Sequence, residues 1–387
     1  LSRDTFSPEG ERKEEYYLLL VLSVLGAVVL IQSSHMVSLL LGMELMGVAL
    51  YAMIAFPERG QLPLEGAIKY LVLSACASAM LLYGFALIYA ATGELSYAGI
   101  GAKGASAYIE NPMLIMAGSA MVLAGIGFKL SVAPFHMWTP DVYQGAPTPV
   151  TGFLATVSKG AVFVALSRFY IDGGLDQYSG LNTALVVLAI ASMLVGNWLA
   201  LRQENIKRLL AYSSIAHFGY LLVVLIALTY VDAGLVSQSI TFYLTAYMIT
   251  TLAAFTVVST VAGEDTAKQD ISAFEGLFWH RPLEASALTV AMLSLAGIPL
   301  TAGFMAKFFV ITLGIQSGLW GLLAALVVGS AVAIYYYLRV IFAMSKSTKS
   351  TGESANRLEK LLALVLMASI LVLGSWPQPF IAYAGGL

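Results

Sequence analysis

The segment GFKLSVAPFHMWTPD (127–141) ends an apolar run with a lysine, Lys129, and carries Pro134 inside the helix that the run predicts. Proline has no backbone N–H and its ring clashes with the preceding turn, so a helix does not pass through it unchanged. A second segment, LSLAGIPLTAGFMAKF (293–308), combines the same parts in the other order: an apolar run, Gly297 and Pro299 within it, and Lys307 beyond. In lipid, a broken helix is tolerated only where protein or water re-satisfies the freed backbone groups. Paired interruptions at corresponding places in two halves of a chain point to a transport path.

The rest of the sequence supplies the halves. Of 387 residues, 59% are hydrophobic and 11% are charged, and the mean hydropathy is +0.83. A soluble domain is roughly 25% charged, so lipid is the expected solvent for most of this surface. About 20 apolar residues cross a bilayer as a helix. On that measure the spans are 15–32, 36–56, 65–92, 113–133, 147–170, 181–201, 208–230, 235–262, 285–313, 318–343 and 360–384. The expected fold is therefore all-α, with about eleven transmembrane helices. A cytoplasmic-side tail (1–14) leads into a first five-helix half (15–170). A second half (171–343) follows, then a loop and a closing helix (344–387). Because five is odd, the second half enters the membrane inverted, and each half carries its break in its fourth helix.

Basic residues orient the chain. With residues 1–14 in the cytoplasm, cytoplasmic loops and helix ends hold Arg3, Arg12, Lys13, Arg59, Arg202, Lys207, Arg208, Lys268, Arg281, Arg339, Lys346, Lys349, Arg357 and Lys360; the opposite side holds only Lys103 and Arg168. The C-terminus is expected to face outward.

Four lysines, Lys69, Lys129, Lys159 and Lys307, and one acid, Glu44, fall inside apolar spans. A charged side chain at the bilayer centre costs at least ~2.5–3.5 kcal/mol on insertion scales, so such residues need partners or water. Glu44 and Lys129 are candidate partners. All four buried cations are lysines, which can give up a proton where arginine cannot. Lys69 lies four residues after Glu65, the spacing of a local ion pair. His217 sits mid-helix near Ser213 and Ser214 and is a candidate relay, since imidazole titrates near neutrality. His136 follows Pro134 and could line an entry path, whereas His35 and His280 read as loop residues. The run Tyr335, Tyr336 and Tyr337 reads as an interfacial anchor belt.

Other chemistries find no support. A net charge of −2 gives no case for a nucleic-acid partner, and Cys76, the single cysteine, has nothing to pair with. The four histidines lack metal-ligand spacing, and neither a dinucleotide fingerprint nor a phosphate-binding loop is present. No cofactor or metal site is expected in this chain.

The long block GFKLSVAPFHMWTPDVYQGAPTPVTGFLATVSKGAVF (127–163), with NIKRLLAYSSIAHFGYLL (205–222) and LSLAGIPLTAGFMAKFFV (293–310), resembles the antiporter-like membrane subunits of respiratory complex I and of related antiporters and hydrogenases. Within that family the chain is most similar to the subunit N branch. GLFWHRP and SWPQP carry that likeness, as does a lysine, Lys307, where subunit M has a glutamate. The resemblance implies a proton path. It pairs Glu44 with Lys129, sets Lys69 nearby, puts Lys159 mid-axis and places Lys307 toward an outward half-channel. It implies proton translocation coupled to electron transfer from NADH to quinone. NADH, FMN, iron–sulfur clusters and quinone would sit in other subunits. It implies subunit M and small membrane subunits as neighbours, and the bacterial inner membrane as location. Family members usually have fourteen helices, so the first three are expected to lie upstream of Leu1. A cation/proton antiporter or hydrogenase subunit shares these motifs, and a purely structural spacer would use the same lysines to fasten helices.

Overall fold

A computed structural model describes residues 13–57, 61–263, 269–347 and 357–384. The tail to residue 12 with Arg3 and Arg12, together with Arg59, Lys268 and Lys349, lies outside the described residues. The helices are α1 (Lys13–Ile31), α2 (Met36–Ile54), α3 (Gln61–Thr92), α4 (Tyr97–Glu110), α5 (Pro112–Leu130), α6 (Thr139–Gly145), α7 (Thr148–Phe153), α8 (Lys159–Asp172), α9 (Ser179–Ala200), α10 (Ile206–Ala227), α11 (Ala233–Ala262), α12 (Pro282–Ala296), α13 (Ala302–Gln316), α14 (Trp320–Ser345), α15 (Arg357–Ser375) and α16 (Gln378–Ala384).

Among the described residues ten helical stretches are long and apolar enough to cross a bilayer, with 148–172 counted as one. The predicted span 285–313 is instead two helices, α12 and α13, of 15 residues each. At 1.5 Å per residue neither covers the ~30 Å hydrocarbon layer alone; end to end they supply the eleventh crossing. The chain is a multi-pass membrane protein. The last predicted span also stops early, at Ser375, and Trp376 and Pro377 separate it from the short α16. The 14-residue α4 had no counterpart among the predicted spans.

Over the described residues the chain divides into two compact units. Taken over the described residues alone, one comprises those within 13–146 and 157–192, the other those within 147–156 and 193–384. In the first, α5 stops at Leu130, short of Pro134. Ser131 takes a left-handed conformation (φ 63°), and the N–H groups of Ser131 and Val132 return to the carbonyls of Phe128 and Gly127, each at 3.0 Å. Two more freed groups find side chains. Trp138 Nε1 donates to the Phe128 carbonyl at 2.9 Å, and the Ala133 N–H donates to Ser192 Oγ at 2.8 Å. Tyr70 stacks on Trp138 with ring centres 4.6 Å apart.

The second unit repeats the device. Gly297, at φ 85°, ends α12, and the N–H groups of Gly297 and Ile298 both return to the Leu293 carbonyl at 3.0 Å. This is the glycine-terminated helix closure, and it leaves the carbonyls of Leu295 and Ala296 without helical donors. The restart is tight: a Cβ on Gly303 would lie 1.8 Å from the Ser294 carbonyl oxygen. Helix α10 is the centre of this unit, with 94% of its apolar window buried against 17% for α15. Polar groups on α10 therefore face protein, not lipid.

Candidate functional site

In the first unit the candidate residues gather around α3. Lys129, on α5, is 3% exposed. Its Nζ donates to Ser74 Oγ at 2.5 Å, and the same oxygen accepts from Tyr51 Oη at 2.6 Å. The ring centres of Tyr70 and Tyr51 stand 5.6 and 5.9 Å from Nζ. Glu44, on α2, is half-buried and accepts a hydrogen bond from Ser78 Oγ. Ser74 and Ser78 are one helical turn apart.

The expected direct Glu44–Lys129 pair therefore needs correcting. Among the described residues no ion pair joins them; each is held by its own serine on α3. The i,i+4 geometry of α3 explains this, because Ser74 and Ser78 share a face and each reaches one of the flanking helices. Nothing in the sequence marked these serines, since most intramembrane serines bond only to their own helix.

Lys159 is fully buried. It is the first residue of α8, directly after a π-helical turn at Leu154–Ser158. Such wide turns shift the side chains that follow and recur at functional sites. Its Nζ lies 5.3 Å from the centre of the Tyr143 ring. His136 is 7% exposed.

Lys69 stands apart from these. Its side chain is 40% exposed and pairs with Glu65 at 2.6 Å, as the spacing predicted, and with Asp141 of α6 at 2.7 Å. The second partner is 72 residues away in sequence and was not legible there.

In the second unit Lys307 and His217 share a polar region of α10–α13. Lys307 Nζ donates to the carbonyls of Ala296 at 2.9 Å and Leu295 at 3.1 Å, the two left open by the end of α12. The negative end of the helix dipole lies there too, so the break itself supplies the lysine's counter-charge. Gly297 makes room: a Cβ there would meet Lys307 Cδ at 2.8 Å. His217 Nδ1 lies 2.8 Å from Tyr243 Oη, and Tyr247 Oη donates to Ser214 Oγ at 2.8 Å. Neither of the expected relay serines bonds the imidazole. Ser214 bonds Tyr247 and Ser213 bonds Tyr337, while Tyr243 of α11 takes the imidazole. A cavity of about 10 Å³ lies among His217, Tyr243, Tyr247, Thr250 and Ser294, close to the volume that one water needs.

One other expectation changes. Tyr336 and Tyr337 are each 1% exposed, whereas Tyr335 is 64% exposed. Only the first of the three can be an interfacial anchor. Lys207, counted among cytoplasmic helix ends, is 1% exposed on the first turn of α10. His35 caps α2, its Nδ1 accepting the Val37 N–H, and His280 closes a one-turn helix, Leu277–His280. A buried acid also escaped notice: Glu284 bonds Arg281 at 3.2 Å, with side chains 4% and 10% exposed. Among the described residues no cluster of histidine, cysteine, aspartate or glutamate could hold a metal ion.

Comparison with known proteins follows the same lines. Residues 33–333 match the family described as NADH:quinone oxidoreductase/Mrp antiporter, TM. Subunit N of the NADH-quinone oxidoreductase of Methylococcus capsulatus is 46% identical over 374 residues, 96% of this chain and 75% of that protein. Among solved structures, a chain of respiratory complex I from Thermus thermophilus with bound aureothin superposes with a TM-score of 0.83 at 37% identity, over 95% of this chain and 79% of that one. A chain of the archaeal membrane-bound sulfane sulfur reductase gives 0.86 at 28%, over 99% and 78%. The Mrp complex of Dietzia sp. gives 0.82 at 22%, over 95% and 76%, a likeness of fold. The family match across most of the chain and the close subunit N relative agree with the broken-helix architecture: the chain belongs to the NADH:quinone oxidoreductase/Mrp antiporter transmembrane family, on its subunit N branch.

Proposed function

We propose that this chain translocates protons within the membrane arm of an NADH:quinone oxidoreductase, using Glu44, Lys129, Lys159, His217 and Lys307 as carriers. NADH oxidation, FMN, iron–sulfur and quinone chemistry belong to other subunits on this reading. Its neighbours are further antiporter-like subunits and small membrane subunits. It lies in the bacterial inner membrane with residues 1–14 on the cytoplasmic side, which the distribution of lysine and arginine supports.

The observation that carries the reading is the seat of Lys307. Its ammonium is buried and is held by the two carbonyls that a helix break leaves open. A permanent structural cation would be served better by a carboxylate; among the described residues none is in ion-pair contact with Lys307 or Lys129. Amine, imidazole and carboxyl groups bind and release protons, and each unit carries its own set. Redox-linked change elsewhere in the complex alters the field between Glu44 and Lys129. Lys159 then exchanges a proton with the cytoplasmic side, and Lys307 passes one onward. On this reading Lys69, half-exposed between two acids, is not itself a carrier.

The test is NADH-driven proton uptake per electron in inverted vesicles holding the whole complex, for the parent, Lys159→Ala and Glu44→Ala, with assembly checked on a native gel. Collapse of coupled uptake in assembled complex is the expected result. Unchanged uptake in both variants would make the buried charges structural and the chain a membrane spacer.

A further inference from the structure

We infer that Tyr220 is a positioning residue for Lys307, holding its ammonium against the ring face, and that a buried network through Asn197 and Tyr336 fixes that ring. The inference rests on Lys307 being a proton carrier. Lys307 Nζ lies 5.2 Å from the Tyr220 ring centre. Its two carbonyl bonds use two of its three donors, and the negative face of the ring adds the attraction that a missing carboxylate would have given. Such contacts gain strength where both groups are desolvated, and Tyr220 and Lys307 are 1% and 6% exposed.

The ring is held from behind. Asn197, on α9, donates from Nδ2 to Tyr220 Oη at 2.9 Å and to the Met193 carbonyl at 2.7 Å. Its Oδ1 accepts from Tyr336 Oη, on α14, at 3.0 Å. The Tyr336 and Tyr337 rings are 4.4 Å apart, and the Tyr337 hydroxyl bonds Ser213. Gly329 of α14 leaves room for this: a Cβ there would meet Asn197 Nδ2 at 2.7 Å and Tyr220 Oη at 3.2 Å. Three helices thus converge on one phenol ring, every member at most 1% exposed.

The network positions and does not conduct. An amide NH₂ donates but has no lone pair free to accept, so a proton does not hop through the Asn197–Tyr220 link. With the Tyr220 hydroxyl engaged by Asn197, the part of Tyr220 that serves Lys307 is the ring. That separates two variants: Tyr220→Phe keeps the ring and drops the hydroxyl, whereas Tyr220→Leu keeps apolar bulk and drops the ring.

The experiment measures NADH-driven proton uptake in vesicles of the assembled complex for Tyr220→Phe, Tyr220→Leu, Lys307→Met and the double variant Tyr220→Leu/Lys307→Met. Native-gel assembly is scored for each. Tyr220→Phe should stay within about threefold of the parent, and Tyr220→Leu should fall about tenfold or more, the loss expected for a desolvated cation–π contact. In the Lys307→Met background Tyr220→Leu should add nothing, because its effect runs through the lysine. Equal behaviour of the Phe and Leu variants, or an undiminished Leu effect on Lys307→Met, would overturn the positioning role. Normal uptake by Lys307→Met would instead overturn the carrier reading beneath it, so the two failures are told apart.

Discussion

Ser74→Ala tests whether the first cluster works through hydroxyls. In the parent, Ser74 Oγ accepts from both Lys129 Nζ at 2.5 Å and Tyr51 Oη at 2.6 Å. Alanine removes the one acceptor of both bonds, and the site is 0% exposed at Ser74 and 3% at Lys129. A hydrogen bond to a charged group contributes about 1.5–3 kcal/mol, and a neutral one about 1. The ammonium form of Lys129 should therefore lose about 1.5–3 kcal/mol, a factor of roughly 10 to 150 in its proton affinity. Neutral lysine loses less, because its amine can still donate weakly elsewhere. Coupled proton uptake in inverted vesicles should drop by at least about tenfold while the complex still assembles, since one methylene-sized change leaves α3 packed. Ser74→Thr keeps the hydroxyl and should recover most of the activity. If Ser74→Ala pumps at the parent's ratio per electron while Glu44→Ala does not, the hydroxyl bridge is incidental and a direct Glu44–Lys129 pair must form during turnover.

Gly303→Ala should be among the most damaging small changes in the second unit. Its methyl would lie 1.8 Å from a backbone oxygen that cannot swing aside, so α13 must shift, at about 1–3 kcal/mol for overpacking. Lower heat stability of the purified complex, together with lost uptake, would register it; a parent-like melting curve would refute the tight restart. Lys307→Arg keeps a cation at the break but removes the ability to release a proton. Uptake should vanish in assembled complex, and retained pumping would mean that charge alone suffices. Lys69→Ala should cost less than about fivefold and become invisible in high salt, because half-exposed ion pairs contribute about 0–1 kcal/mol. A tenfold, salt-independent loss would place Lys69 among the carriers.

How much of this was legible in sequence depends on what each residue type reveals alone. A lysine in an apolar run announces itself, because lipid leaves it no neutral explanation; Lys129, Lys159 and Lys307 were found that way and are all buried. The breaks were legible through Pro134, Gly297 and Pro299. Their edges were not, since the left-handed residue that closes α5 is a serine, Ser131. The partners were silent. Ser74, Ser78 and Asn197 are ordinary residues in a transmembrane helix until another helix is known to face them. The tyrosine run shows a misreading that periodicity could have prevented. Consecutive helical residues turn by 100°, so three neighbours cannot all face lipid. Tyr335 faces outward, and Tyr336 and Tyr337 turn into the core.

The choice of partners bears on the chemistry. Lys129 rests on a hydroxyl between two aromatic rings, and Lys307 on two carbonyls and one ring. All are neutral. Had each lysine been paired with a buried carboxylate, losing its proton would strand a negative charge in a dry interior, at a cost of several kcal/mol. Neutral acceptors create no such penalty. They hold the ammonium while it is present and keep weaker bonds to the amine once it is gone, so the two protonation states stay closer in energy. The same argument applies to Glu44, which is held by Ser78 while Lys129 is held by Ser74 one turn away. Among the described residues no ion pair locks the proton on Lys129. A Ser74→Asp substitution would test this: a carboxylate in place of the hydroxyl that Lys129 donates to should hold Lys129 protonated and stop uptake in a complex that still assembles. Continued pumping would show that a neutral acceptor is not what makes the lysine able to let go.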